Sequence, residues 1–444
     1  MNSKKNSNAS PTVYVYRGKP DLSVLKIFPG DWVVIKPNLV KQHKENDAKE
    51  WKSVITDGEL IRDVTEYVCQ QLHGKGRVTI CDAPQTDSSF AVIRKLLRLD
   101  ELALECADRY AIQVEVLDLR NEEWLSQGEI IVKREKLSGD PHGTIRFNLG
   151  KESLFFGHSG EGRYYGADYD AGEVNRHHHG ELQEYLICAT PIRADVFINL
   201  PKLKTHKKTG VTLNLKNLVG INADKNWLPH HTEAGSGKPG DEYPQATAWR
   251  LVEQKLVKIT RQLALRIPIL GPWAARAFRR LGKVIFGDGS KALRSGNWHG
   301  NDTTWRMVLD LNRCLLFGTP DGTLDYTQRK RYYSVLDGRI GMEGDGPMKG
   351  DPVASDLVIV GTDPVCVDVV ASRIMGYDWR KIPVIREAFS FHKHPLTPFR
   401  PEQIQVEGDI PEWKGDFPQA EEKTFLFFKP HIGWRGHIEY SSRF

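Results

Sequence analysis

Short apolar runs that each end in a polar residue, separated by stretches of helical periodicity, constrain this chain more than any other feature. Residues 32–35 form a compact run closed by Lys36-Pro37-Asn38, and residues 58–72 place Leu60, Ile61, Val64, Val68 and Leu72 on one helical face. Residues 78–81 repeat the strand pattern and end in Asp82, residues 91–104 repeat the helical one, and residues 114–117 lead to Asp118. Strands alternating with amphipathic helices read as βαβ units, and their apolar runs suit a parallel sheet covered on both faces. The expected fold is α/β: a mostly parallel central sheet flanked by helices, with a β-rich insertion and an irregular C-terminal region.

Along the chain this gives a disordered tail over 1–11, a first part of the α/β core over 12–120 and a β-rich insertion over 121–182. The core resumes over 183–250, a basic amphipathic insertion follows over 251–300, the second part of the core covers 301–400, and an extension covers 401–444. Further strands are expected at 129–132, 144–147, 196–200, 314–317 and 357–360, and further helices at 249–265 and 362–375. In the last helix Thr362 is the expected N-cap, Asp363 could equally serve at the helix start, and Pro364 falls in the first turn, where its missing N–H costs little.

A length of 444 residues supports a sizeable core, and 40% hydrophobic with 27% charged residues excludes wholesale disorder. The net charge of +5 is mild for this length, so no nucleic-acid partner is expected. The six cysteines contain no C-x-x-C pair, so no iron–sulfur cluster is expected, and low cysteine use suits the reducing cytoplasm. There is no run of 18 apolar residues to cross a bilayer, and the polar N-terminus has no signal-peptide core. Residues 255–283, opening on Lys255 and closing on Lys283, carry eight basic residues and no acid among Ile, Leu, Trp and Phe. Such a segment either lies on an anionic membrane at its cytoplasmic face or caps the core with its aliphatic stems.

The most informative stretch is Asn199 through Gly220. An apolar strand delivers the chain into Lys202, Lys204, Thr205, His206, Lys207, Lys208, Lys216 and Asn217. Carboxyl ends of strands are where open α/β sheets bind ligands, and this residue mix suits a phosphate or carboxylate group. The bland reading is a solvated basic loop. Leu200, Leu203, Val211, Leu213, Leu215 and Leu218 interleave with the charges and tie the segment to the core instead.

Lys36 and Asn38 repeat the theme at another strand end, where Pro37 holds Lys36 extended. Residues 336–347 read as an acidic glycine-rich loop, in which Asp337, Glu343 and Asp345 either ligate a hard cation or act in acid–base chemistry. The alternative is a long turn with solvated carboxylates. His177-His178-His179 and His230-His231 invite a metal reading, against that of plain surface turns.

With these residues in hand, the chain resembles the domain of unknown function 362 family. The matching pieces are VVIKPNLV at 33–40, ADVFINLPKLKTHKKTGVTLNLKNLVG at 194–220, DGRIGMEGDGPMKGDP at 337–352 and GTDPVCVDVVASRIMG at 361–376. The resemblance implies a cytoplasmic α/β protein and settles no reaction. Some members carry an added ferredoxin-like domain whose cysteines this chain lacks. A slighter similarity, to nickel-dependent lactate racemases, rests on the order His206, Gly210, Thr212, Lys216 and implies only that His206 sits near a metal or cofactor.

The expectation is an enzyme acting on a small or lipid-linked anionic substrate with a divalent metal, Mg²⁺ or a transition metal. Lys36, Asn38, Lys202, Lys204, Thr205, Lys216 and Asn217 would bind the substrate. His206, Asp337 and Glu343 would be catalytic, and His206, Asp337 and Asp345 would hold the metal. Two other classes stand beside it: a non-catalytic protein that captures an anion or cofactor, and a redox or cofactor-assembly protein.

Overall fold

The computed structural model describes residues 11–127, 130–166, 171–235, 240–245, 293–416 and 425–440. The tail before them, the helix expected at 249–265 and the basic segment 255–283 fall outside the described residues.

The expected sheet is present. Strands β1 (Thr12–Arg17), β2 (Trp32–Pro37), β3 (Arg77–Asp82), β4 (Gln113–Asp118), β11 (Val196–Leu200), β12 (Lys202–His206), β13 (Gly210–Val211), β15 (Arg331–Glu343), β16 (Asp351–Gly361), β17 (Gln405–Gly408) and β18 (Gly415–Asp416) share one sheet. Its main path runs β18-β17-β1-β16-β15-β11-β2-β3-β4, with β12 and β13 branching from β15. The segment β15-β11-β2-β3-β4 is parallel throughout, whereas β16 runs antiparallel to both β15 and β1.

Helices cover both faces. Alternation along β2 sends Val33 and Ile35 to one core and Trp32 and Val34 to the other. The first core is closed by α1 (Gly58–Leu72), α2 (Phe90–Leu96) and α3 (Leu99–Tyr110). Asp57 caps α1 by accepting from the N–H groups of Glu59 and Leu60, and the expected apolar stripe from Leu60 to Leu72 is buried. The second core is closed by α6 (Leu213–Asn217), α7 (Thr304–Phe317) and α8 (Pro364–Ile374).

The insertion is β-rich, as expected. Strands β5 (Glu122–Gln127) and β6 (Ile130–Lys136) form a hairpin, β7 (Thr144–Asn148) and β9 (His178–His179) flank β10 (Leu182–Cys188), and β8 (Tyr164–Tyr165) pairs with β14 (His231–Thr232). Two short helices, α4 (Ala171–His177) and α5 (Ala189–Arg193), complete it.

Several local expectations need correction. Residues 314–317, expected as a strand, end α7, which is buried on every side; an unbroken apolar run does not reveal its period. The helix expected at 91–104 is two helices, broken where Arg98 takes a left-handed φ of 54°. Asp363, not Thr362, caps α8, accepting from the N–H groups of Val365 and Cys366 at 2.9 Å. The glycine-rich segment is not a loop before Gly344, because β15 runs through Asp337 to Glu343. Among the described residues no helix is long and apolar enough to cross a membrane.

Candidate functional site

Strands β2, β3 and β11 end together at one rim, and the lysine-rich segment folds over it. After Leu200, Pro201 interrupts the strand and β12 continues along β15, with Lys202 in register with Asp337 and Lys204 with Met342. The chain then turns back so that β13 pairs with β12, His206 facing Gly210. Gly210 has φ +79°, and a Cβ there would meet the Trp434 ring at 3.2 Å, so glycine is required for this close approach. Trp434 also fastens the turn, its Nε1 donating to Lys207 O at 2.8 Å. Helix α6 follows and carries Lys216.

The start of α6 is strained and held from outside. Leu213 takes φ 43°, which costs on the order of 1 kcal/mol for a residue with a side chain. Asp368, on α8, accepts from Asn214 N–H at 2.8 Å, Leu215 N–H at 3.0 Å and Asn214 Nδ2 at 2.9 Å. Burial nonetheless pushes the Asp368 carboxyl up to about 7.

A continuous buried hydrogen-bond chain fixes the rest. Lys204 Nζ donates to Asn38 Oδ1 at 2.9 Å, Asn38 Nδ2 to Asn217 Oδ1 at 2.8 Å, and Asn217 Nδ2 to Asn199 Oδ1 at 2.7 Å. Asn199 Nδ2 donates to the Tyr332 hydroxyl at 2.8 Å, which donates to Asn214 Oδ1 at 3.3 Å. Each amide's orientation is dictated by its neighbours, because carbonyl oxygens only accept and NH₂ groups only donate. Asn38 and Asn217 therefore hold the rim together.

The expected binding lysines have separate fates. Lys36 Nζ pairs with Asp82 Oδ1 at 2.8 Å and donates to Pro37 O at 3.0 Å. Gly220 backs directly onto that pair: a Cβ there would lie 1.9 Å from Asp82 Oδ1 and 2.8 Å from Lys36 Nζ. Lys202 Nζ lies 2.7 Å from Asp337 Oδ2 with neither side chain exposed. Asp337 also accepts from Asp57 N–H at 2.7 Å and Arg339 N–H at 3.0 Å. Lys204 is fully buried, with Asn38 Oδ1 and Val54 O as its partners among the described residues. Burial, reinforced by Lys202 and Lys216, pushes its amine well below the usual lysine range. Thr205 donates to Gly344 O at 2.9 Å and pins the glycine turn.

Lys216 differs from all of these. It is only partly buried, and among the described residues its amine has no hydrogen-bond or ion-pair partner. Burial, then the charges of Lys225, Lys36 and Lys207, push it down to about 7, and no carboxylate among the described residues acts against them. Lys225 is itself pushed down to about 8 by burial, while donating to Val219 O and Asn222 O.

His206 adds a second ligand-ready group. Its Nδ1 accepts from the backbone N–H of Lys208 at 3.1 Å and of Thr209 at 3.3 Å. Two donors facing Nδ1 require a lone pair there, so the neutral ring carries its proton on Nε2. Nε2 has no partner among the described residues, although the side chain is 7% exposed. Burial, then Lys216, Lys207, Lys204 and Lys208, hold the ring well below its usual pKa, which keeps it neutral.

The acids do not gather at His206. Glu343 accepts from Lys429 N–H at 2.9 Å and pairs with Lys429 Nζ at 3.1 Å, while exposed Asp345 lies 3.8 Å from His431. The lysine-rich and glycine-rich segments do meet, through the β12–β15 ladder and a bond from Lys207 N–H to Gly346 O at 3.2 Å. Among the described residues no group of three His, Cys, Asp or Glu side chains is placed to hold a metal ion. Four of the clustered histidines are built into the fold, while His179 is exposed. His178 is buried against Gln183 Oε1 and Trp227 O, and His177 stacks on Trp227 at 3.4 Å between Glu173 and Glu184. His230 Nδ1 donates to Leu228 O at 2.8 Å, and His231 is buried in β14.

Residues 160–373 match the family model described as Domain of unknown function (DUF362). The chain carries a DUF362 domain. No curated protein and no solved structure matches the chain. The DUF362 match contains β11 through α6, β15, β16 and most of α8, and so contains Lys216, His206 and Asp368. Lys36, Asn38 and Asp82 lie before it, yet their side chains complete the rim of the DUF362 domain. Sequence reading passed over Asn199, Asn214 and Lys225 as partners in that rim. The one signal for Asn199 and Asn214 was their place inside the segment Asn199 through Gly220; Lys225 lies beyond it and carried none.

Proposed function

We propose that this protein is an enzyme acting on a small anionic substrate, phosphate- or carboxylate-bearing, held at Lys216 and His206. The observation that carries the reading is the Lys216 amine, which has no partner and no opposing carboxylate among the described residues, and whose charge acts on the neutral His206 imidazole that offers an N–H. An arriving anion supplies the missing negative charge, and Nε2–H of His206 adds a fixed donor at no reorganisation cost. Lys202 has no part in it, because Asp337 already neutralises it. The reading also needs no divalent cation held by His206 and Asp337, since the first presents an N–H where a metal requires a lone pair and the second is closed off by Lys202. A reducing, cytoplasmic setting suits six cysteines that are all free and buried.

The test is calorimetric titration with inorganic phosphate and with oxalate, on the unaltered protein and on Lys216→Met. Binding of either anion, lost in the variant while circular dichroism stays the same, supports the reading. Equal binding by both proteins, or none by either, overturns it.

A further inference from the structure

The anion site has a feature that plain ion pairing does not need: among the described residues its own lysine is surrounded by other amines and lacks a counter-ion. We propose that Lys216 forms an imine with the carbonyl carbon of an anionic aldehyde or ketone, while Nε2–H of His206 holds the carbonyl oxygen. This rests on the anion-site reading and narrows its substrate class.

Four neighbouring amines are already committed. Lys36 is paired with Asp82, Lys202 with Asp337, Lys204 is bonded to Asn38 Oδ1 and Val54 O, and Lys225 to two backbone carbonyls. Among the described residues Lys216 alone of these has no partner, and like Lys225 it is partly exposed, so a solute can reach it. A lysine becomes a nucleophile when burial and neighbouring cations keep it uncharged, and both conditions hold here. The same cations attract a negatively charged substrate and so select an oxo acid or a phosphorylated aldehyde over a neutral carbonyl compound.

The step balances. Lys216 Nζ attacks the carbonyl carbon, and the carbonyl π electrons move to oxygen, which takes one amine proton to give a carbinolamine. That oxygen leaves as water with the second amine proton, and the nitrogen lone pair forms the C=N bond. His206 transfers nothing. Its neutral ring polarises the carbonyl through Nε2–H, a role for which the neutral form is adequate. Asp368 is a positioning residue, since it holds the strained start of α6 and therefore the helix that carries the amine.

The test is reductive trapping. The protein is incubated with glyoxylate or glycolaldehyde phosphate and sodium cyanoborohydride, and adducts are located by peptide mass mapping. Exposed lysines have pKa values of about 10.4 and are almost wholly charged at neutral pH, so Lys216 is expected to be modified on the order of a hundredfold faster. Inorganic phosphate should slow modification at Lys216 only, and His206→Phe should slow it while His206→Gln, which keeps an N–H donor, retains more of the rate. Modification of Lys216 no faster than that of exposed lysines overturns the imine. If phosphate binding still depends on Lys216 in that case, the anion site stands without it; if neither is seen, both readings fall.

Discussion

Lys202 Nζ and Asp337 Oδ2 lie 2.7 Å apart at the junction of β12 and β15, and water reaches neither. A closed pair of this kind is sensitive to the loss of one partner, because the other is left as an unmatched buried charge. Asp337→Ala is expected to cost about 3–5 kcal/mol in urea unfolding. Combined with Lys202→Met, the loss should be smaller than the sum of the two single losses by about 0.5–3 kcal/mol. Additive losses would mean that the pair is not the unit described here.

The His206 tautomer can be read directly. Two backbone N–H groups face Nδ1, and burial with the surrounding lysines depresses the ring's pKa. Nitrogen-15 spectra should place the proton on Nε2 and show no titration of this ring from pH 8 down through the usual histidine range, about 6.5. A ring that becomes charged within that range, or that carries its proton on Nδ1, contradicts the donor role.

Much of this fold was legible because it follows from periodicity. The apolar stripe of α1 and the doubly buried runs of β2, β3 and β11 have one physical interpretation each, and all are found. Helix α7 defeated the same reasoning because burial on every side removes the polar face that reveals a helical period. At the site, residue types located the segment but not the pairings. Asp337 was a reasonable acid until Lys202, 135 residues earlier, took it up across the sheet. Lys202 and Lys216 look alike in a sequence; one faces a carboxylate and the other does not, and only the register of β12 on β15 decides which.

Asp368 should matter beyond its distance from any ligand. It satisfies Asn214 N–H, Leu215 N–H and Asn214 Nδ2, and Leu213 sits strained just before them. Asp368→Ala leaves buried donors unmatched, at about 1–3 kcal/mol for each group. The expected outcome is a lower denaturation midpoint together with weaker phosphate binding; Asp368→Asn, which retains one acceptor oxygen, should fall between. Unchanged phosphate affinity in a folded Asp368→Ala protein would separate α6 from the site.

Gly220→Ala tests how tightly the rim is packed. The new methyl would lie 1.9 Å from Asp82 Oδ1, so the Lys36–Asp82 pair must move. Overpacking of this kind costs about 1–3 kcal/mol, measurable in urea. A variant as stable as the parent would show that the rim yields without cost.

The last prediction concerns pH and follows from the sign of the Lys216 shift. In the unfolded chain this amine titrates near the ordinary lysine value, about 10.4, and in the folded protein it is pushed down to about 7. Between those values the unfolded chain binds the extra proton, so stability rises with pH across that window. Below about 7 both states are protonated, and the folded protein carries the full penalty of a charged Lys216 among other cations. Lys216→Met has no such proton to bind. Its advantage over the unaltered protein should therefore be greatest near pH 7 and shrink as the pH approaches 10. Parallel thermal-melting profiles for the two proteins across that range would mean that Lys216 is an ordinary charged lysine, and the uncharged amine on which the imine depends would be lost with it.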